Sequence, residues 1–142
     1  MPLKQLKQEC KKRKLRLTSD RELAFKIISE QKQPIKAYDL LDIFKKYKKN
    51  SKPPTIYRAL DFLQDNGFIH KINILNSFFN CSHMDDKHNC QLFICNQCNK
   101  VNEYCNNKIL EQINSEANDN AFSVRNIVTE IYGICRECND QK

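Results

Sequence analysis

Two Cys-x-x-Cys pairs, Cys95/Cys98 in FICNQC and Cys135/Cys138 in YGICRECN, are the residues of this 142-residue chain best suited by type and spacing to do chemistry. Each pair can fold as a knuckle that presents two thiolates about one tetrahedral edge apart. Two knuckles then complete a four-cysteine zinc site. The intervening residues, 99–134, exceed the simplest ribbon spacing. They leave room for a helix over NNKILEQINSEAN, with Ile109, Leu110 and Ile113 inward, and for a strand over AFSVRNIVTEIYGI. Such a site staples a segment too small to hold itself together by apolar burial. A single Cys-x-x-Cys can instead be a dithiol redox pair, but two at the ends of one small subdomain favour structural zinc.

A second group surrounds the first knuckle: Cys81, His83, His88, Cys90, Glu103 and Cys105, with His70 just upstream. A lone His or Cys is as a rule structural, and a lone Glu is a solvated charge. Here all 3 histidines of the chain fall within residues 70–88, interleaved with cysteine. A mixed N, S and O donor set suits zinc, and fewer thiolates let a site load and unload as concentration changes. A second metal site is therefore expected, its ligands left open among these seven residues. A zinc hydrolase or deaminase would need an open coordination position and a general acid/base, such as H-x-E with P-C-x-x-C. Neither motif is present, and no enzyme activity is expected.

Composition narrows the rest. With Gly 2 and no Trp, composition argues against a glycine-cradled nucleotide site, and no apolar run approaches a membrane span of roughly 20 residues. The basic opening segment lacks the apolar stretch of a secretory signal. A soluble, cytoplasmic protein is expected, where thiols stay reduced and 8 cysteines do not imply a disulfide framework. Residues 1–80 carry 18 Lys and Arg against 8 Asp and Glu, whereas residues 81–142 carry 6 against 9. A basic half beside a mildly acidic half suggests that the first meets a polyanion. A Lys-rich solvated surface is the plainer reading of the same charge.

The elements that must position these groups follow from periodicity. PLKQLKQECKKRK places Leu3, Leu6 and Cys10 on one face of a basic helix. A second helix opens at Thr18 or Ser19, with Glu22 spaced for a capping box and Leu23, Ile27 and Ile28 as its stripe. A third begins after Pro34, with Ala37, Leu40, Leu41 and Phe44 as its stripe, and is expected to run through KKYKKN to Asn50. In SKPPTIYRALDFLQDNG, Ser51 can cap and the prolines suit a first turn. Ile56, Ala59, Leu60 and Leu63 face inward, and Gly67 closes the helix. Thr55, Tyr57 and Arg58 then point outward near the N-terminus, where the second helix of a helix-turn-helix reaches base edges. Arg58 can donate a bidentate pair to guanine, and the Tyr57 ring can lie against a thymine methyl. FIHKINILNSFFN reads as two strands turning near Asn73–Asn76, the wing of a winged helix, with His70 on its first strand.

Taken together, RLTSDR, AYDLLD, KPPTIYRALDFLQDNGFIHKI, NSFFNC, LFICNQC and IYGICREC resemble the ferric uptake regulator superfamily, and within it the zinc uptake regulator branch. The resemblance covers nearly the whole chain in order. It implies an α+β fold: an N-terminal winged helix-turn-helix domain over 1–80, a hinge over 81–90 and a small α/β dimerisation domain with a four-cysteine zinc site over 91–142. It also implies a homodimer that represses transcription at palindromic double-stranded operator DNA when metal is bound. Two zinc ions per chain follow from it, one structural on Cys95, Cys98, Cys135 and Cys138, and one regulatory on His70, Cys81, His88 and Glu103. His83 and Cys90 lie close enough in sequence to displace His88 or Cys81. SHMDDKHNC has too few histidines for a three-His iron site, which favours zinc over iron. No membrane or small-molecule substrate is implied. Two other readings stand beside this one: an iron or other-metal sensor of the same superfamily, and a zinc-stapled adaptor that binds protein.

Overall fold

A computed structural model of the chain describes residues 2–84 and 89–141. These belong to two compact units, Met1–Lys87 and His88–Lys142.

In the first unit, α1 (Pro2–Lys12) buries Leu6 and Cys10 and leaves its lysines outside. Burial lifts the Cys10 thiol above its ordinary value, so this cysteine is a packing residue. Helix α2 (Ser19–Glu30) is capped by Thr18, whose hydroxyl accepts the Arg21 N–H at 3.3 Å. The N3 residue is thus Arg21, and the expected capping box does not form. Glu22 pairs with Lys7 at 3.0 Å instead, tying α2 to α1. A short strand that periodicity missed, β1 (Ile35–Lys36), precedes α3 (Ala37–Phe44). Helix α3 stops six residues before Asn50: in the lysine run after Phe44 the one large hydrophobic side chain, Tyr47, stays exposed and holds no further turn on the core.

Helix α4 (Pro53–Asp65) buries Ile56, Ala59, Leu60 and Leu63 as expected. Its N-cap is Lys52 with no side-chain cap, and the Ser51 hydroxyl donates to the Lys48 carbonyl at 2.8 Å. Two prolines in its first turn remove N–H groups that a cap would have had to satisfy, so the missing cap costs little. Gly67 adopts φ 76°, a left-handed position that favours glycine. The chain then enters β2 (Ile69–Ile72), turns at Asn76 (φ 46°) and returns as β3 (Ser77–Asn80). The antiparallel sheet has the order β1-β3-β2. Phe25, Phe44 and Phe68 are among its fully buried core residues. Two arginines brace α4: Arg13 donates to the Asn66 carbonyl at 3.1 Å and lies over the Phe68 ring, and Arg21 lies 3.9 Å from the centre of the Phe62 ring. This is the winged helix-turn-helix expected from the sequence.

The second unit is a small α/β sheet. β4 (Gln91–Cys95) pairs antiparallel with β5 (Val101–Tyr104) and parallel with β6 (Thr129–Gly133), giving the order β5-β4-β6. The parallel pair requires a crossover, which α5 (Asn107–Asp119) supplies. The Asn106 side chain caps α5 by accepting the Lys108 N–H at 3.0 Å. The expected long strand is only the five residues of β6; residues 122–128 are irregular. Helix α5 is amphipathic but has no fully buried residue: of the expected stripe, Leu110 and Ile113 are half-buried and Ile109 is exposed. Among the described residues the stripe is only partly covered. The short α6 (Arg136–Asn139) follows.

Candidate functional site

The four-cysteine cluster arises from strand direction. β4 and β6 are parallel, with Cys95 level with Gly133, so the turns that follow both strands open at the same end of the sheet. The first turn is a knuckle: the Cys95 N–H bonds the Lys100 carbonyl at 3.0 Å, and the Asn99 N–H bonds the Cys95 carbonyl at 2.9 Å. Asn99 takes φ 59° to close it, a conformation Asn tolerates better than most residues with a Cβ. In the second turn Cys135 is the N-cap of α6, and Cys138 lies buried inside that helix.

The four sulfurs lie within 4.8 Å of one another. Cys98 Sγ and Cys135 Sγ are 3.8 Å apart. A tetrahedral ion with Zn–S bonds of about 2.3 Å requires edges of about 3.8 Å, so the donor set fits zinc. The backbone already favours thiolate at one corner. N–H groups of Cys135 (3.3 Å to the sulfur) and Cys98 hold the Cys95 thiol down to about 6. Cys138 is pushed up to about 12 by its hydrogen bond with Cys135 and by burial. Cys98 also ends above its usual value: the Lys100 N–H lowers it, but burial and the neighbouring sulfurs outweigh that. Such a split is what crowded sulfurs do without a cation, since not all four can carry charge together. An exposed Lys100–Glu137 ion pair at 3.0 Å links the two turns.

The residues expected at the second metal site divide between the two units. In the first, His70 lies opposite Phe79 in the β2–β3 ladder, and the Cys81 N–H continues that ladder to the Phe68 carbonyl at 2.9 Å. That register sets His70 and Cys81 diagonally on one face, and their donor atoms lie within 4.8 Å. Cys81 is fully buried, and its sulfur accepts the His83 N–H at 3.3 Å. The His83 imidazole is exposed. His88 lies outside the described residues.

In the second unit Glu103 sits on β5 opposite Leu92, half-buried, with Cys105 Sγ 4.0 Å from its Oε1. Cys90 and Cys105 are joined by a disulfide. The sequence reading did not pair them, yet it held a signal. Cys90 lies five residues before Cys95 and Cys105 five after Lys100, equidistant from the pair that closes the knuckle.

The proposed base-reading residues lie at the start of α4. Tyr57 and Arg58 are exposed, and Thr55 is half-buried. The exposed Lys52 precedes them, and Lys45, Lys46, Lys48 and Lys49 lie in the turn before the helix. The outward face is cationic and aromatic, and its inward face is fully engaged in the core.

The chain matches the Ferric uptake regulator family over residues 12–132. It is 38% identical over 137 residues to the Zinc uptake regulation protein of Escherichia coli (strain K12), covering 96% of this chain and 80% of that protein. Its structure superposes with a TM-score of 0.93 at 37% identity on a zinc uptake regulator complexed with zinc and DNA, covering 98% of this chain and 93% of that one. The crystal structure of holo XcZur is similar at a TM-score of 0.90 and 33% identity, covering 97% and 96% of the two chains.

Proposed function

The chain belongs to the ferric uptake regulator family, and on that premise we propose that it is a zinc-responsive transcriptional repressor. It acts as a cytoplasmic homodimer that grips palindromic operator DNA of zinc-acquisition genes when zinc is plentiful. The observation that carries this reading is the pairing of a cationic, aromatic N-terminus on α4 with a four-sulfur cluster spaced for zinc. A relative of similar sequence and shape binds both zinc and DNA.

Each part has a physical role. Thr55, Tyr57 and Arg58 enter the major groove, while the lysines around them neutralise phosphates without reading sequence. The amphipathic α5, which leaves its apolar stripe only half-covered in one chain, supports a dimer in which two copies complete each other's cover. Cys95, Cys98, Cys135 and Cys138 hold one structural zinc, which cross-links the ends of β4 and β6. His70, Cys81, His88 and Glu103 hold one exchangeable zinc.

His70 and Cys81 are anchored to the wing, and Glu103 to the second unit's sheet. Binding by all four ligands therefore restricts how the reading heads are presented. Half-sites one helical turn apart accept few presentations, so metal loading selects the competent ones. By linkage, operator DNA raises zinc affinity by the same factor. Moving from mostly incompetent to mostly competent takes about 5.5 kcal/mol of differential zinc affinity, well within the range of such sites.

The test is a mobility shift on palindromic DNA with added zinc or chelator, using the chain and its His70→Ala and Cys81→Ser variants. Zinc-dependent binding by the natural chain and its loss in both variants are expected. Zinc-dependent affinity that survives both changes would reject the ligand set. Binding indifferent to zinc would reject the reading itself.

A further inference from the structure

We propose that Cys90 and Cys105 are a reversible dithiol–disulfide pair through which peroxide weakens metal binding at Glu103. This rests on the zinc-regulator reading only for its consequence, not for the pair itself. The pair belongs to neither metal site assigned above.

Three observations in the second unit carry it. First, Cys90 and Cys105 continue the antiparallel β4–β5 register one step past Gln91 and Tyr104, so they face each other directly, with Cα atoms 4.2 Å apart. That separation belongs to the close, non-hydrogen-bonded kind of antiparallel pair, in which side chains approach most nearly. The sulfurs meet with no rearrangement of the sheet. Second, Cys105 is exposed, so an oxidant can reach it, while its partner stands ready to resolve the product. Third, Cys105 lies just past the end of β5, two residues after Glu103, with Sγ and Oε1 at 4.0 Å. The donor atoms of Cys90, Glu103 and Cys105 all lie within 4.8 Å.

The chemistry balances with hydrogen peroxide as oxidant. The Cys105 thiol takes one oxygen to become a sulfenic acid, and the first water leaves. The Cys90 thiol then attacks that sulfur; the S–S bond forms, the S–O bond breaks, and the hydroxyl departs with the Cys90 proton as the second water. The dithiol gives up two electrons and two protons. A reducing cytosol returns them by thiol–disulfide exchange, so the bridge is conditional.

Reduced, Cys105 carries a proton it can donate to the Glu103 carboxylate, fixing the orientation of that ligand. Bridged, it carries none and turns only lone pairs toward the carboxylate. Loss of an orienting partner of this kind weakens a metal site by about 10- to 100-fold. Zinc sensing thereby acquires an oxidation input, and peroxide derepresses at constant zinc.

The experiment uses the full-length, reduced, zinc-loaded chain titrated with hydrogen peroxide. Intact mass, differential alkylation and non-reducing peptide mapping read the sulfurs. The expected result is a loss of two hydrogens per chain, one Cys90–Cys105 cross-linked peptide within a single chain, and recovery with dithiothreitol. Cys90→Ser should trap sulfenic acid on Cys105. Oxidation falling first on Cys95, Cys98, Cys135 or Cys138 would overturn the pairing, as would sulfinic acid on Cys105 with Cys90 untouched.

Competition with a fluorescent zinc chelator should show the exchangeable zinc held about tenfold more weakly or worse after oxidation, and unchanged by peroxide in the Cys90→Ser/Cys105→Ser double variant. Equal affinity in both redox states would overturn the coupling to Glu103. The sulfur readout involves no DNA, so its failure leaves the regulator reading standing, and a correct bridge without zinc-dependent DNA binding would indict that reading alone.

Discussion

The two units of this chain solve the same problem by different means. The winged-helix unit holds a contiguous core that runs from Leu6 to Met84, with phenylalanines on α2, α3 and the β2 entry at its centre. Among the described residues, the second unit buries only Gln91, Leu92, Ile94, Cys95 and Cys138, and two of those five are sulfur ligands. The first unit is held by apolar burial. The second lacks the apolar area to be stable alone and needs a metal staple and a covered α5.

Breaking the staple should have the largest effect. Cys138→Ser removes a buried thiolate from a site whose zinc carries about 10–16 kcal/mol of apparent folding free energy in small domains. The second unit should unfold and lose zinc, while the first retains its helical circular dichroism and cooperative melt. A single melt in which both units fail together would dissolve the contrast between them.

Acid should attack the same site. Without metal, backbone N–H groups favour thiolate at Cys95, whereas burial and a neighbouring sulfur hold the proton on Cys138 until metal displaces it. Zinc loading therefore releases protons, and zinc affinity should fall as pH falls, followed by competition with a colorimetric chelator. Zinc affinity that does not change between pH 8 and 5 would contradict thiolate ligation.

The converse experiment is a cavity in the first unit. Phe25→Ala should cost about 3–5 kcal/mol in denaturant unfolding of the winged helix, with four-cysteine zinc content unchanged. Arg58→Ala touches neither staple nor core. It should weaken operator binding by about 1–3 kcal/mol and relax preference at one base position, with melting unaltered. Thr18→Ala should cost about 1 kcal/mol by removing the α2 cap, detectable as a small melting shift confined to the first unit.

How much of this was legible in the sequence follows the same division. In the first unit apolar spacing locates four helices and the α4 face correctly, since each stripe packs on a core made by its own neighbours. The misses there are local competitions. Ser51 bonds the Lys48 carbonyl where a cap was expected, Arg21 takes the N3 position expected for Glu22, and a two-residue β1 carries no period at all.

In the second unit the ligand spacing announces the four-cysteine cluster, because Cys-x-x-Cys dictates a knuckle wherever it lies. The α5 stripe was read correctly as apolar, but it is only half-covered, since periodicity gives a face without saying which molecule completes its burial. The Cys90–Cys105 pairing depends on strand register, which becomes readable once the Cys95–Lys100 closure of the knuckle is known.

The central claim is that two zinc ions per chain have separate jobs, one holding shape and one switching DNA binding. The direct measurement is elemental zinc content paired with fluorescence anisotropy on a palindromic operator during stepwise chelation. The account predicts that the first zinc lost per chain abolishes specific binding while the second unit stays folded, and that restoring that equivalent restores binding. Full operator affinity at one zinc per chain would contradict it.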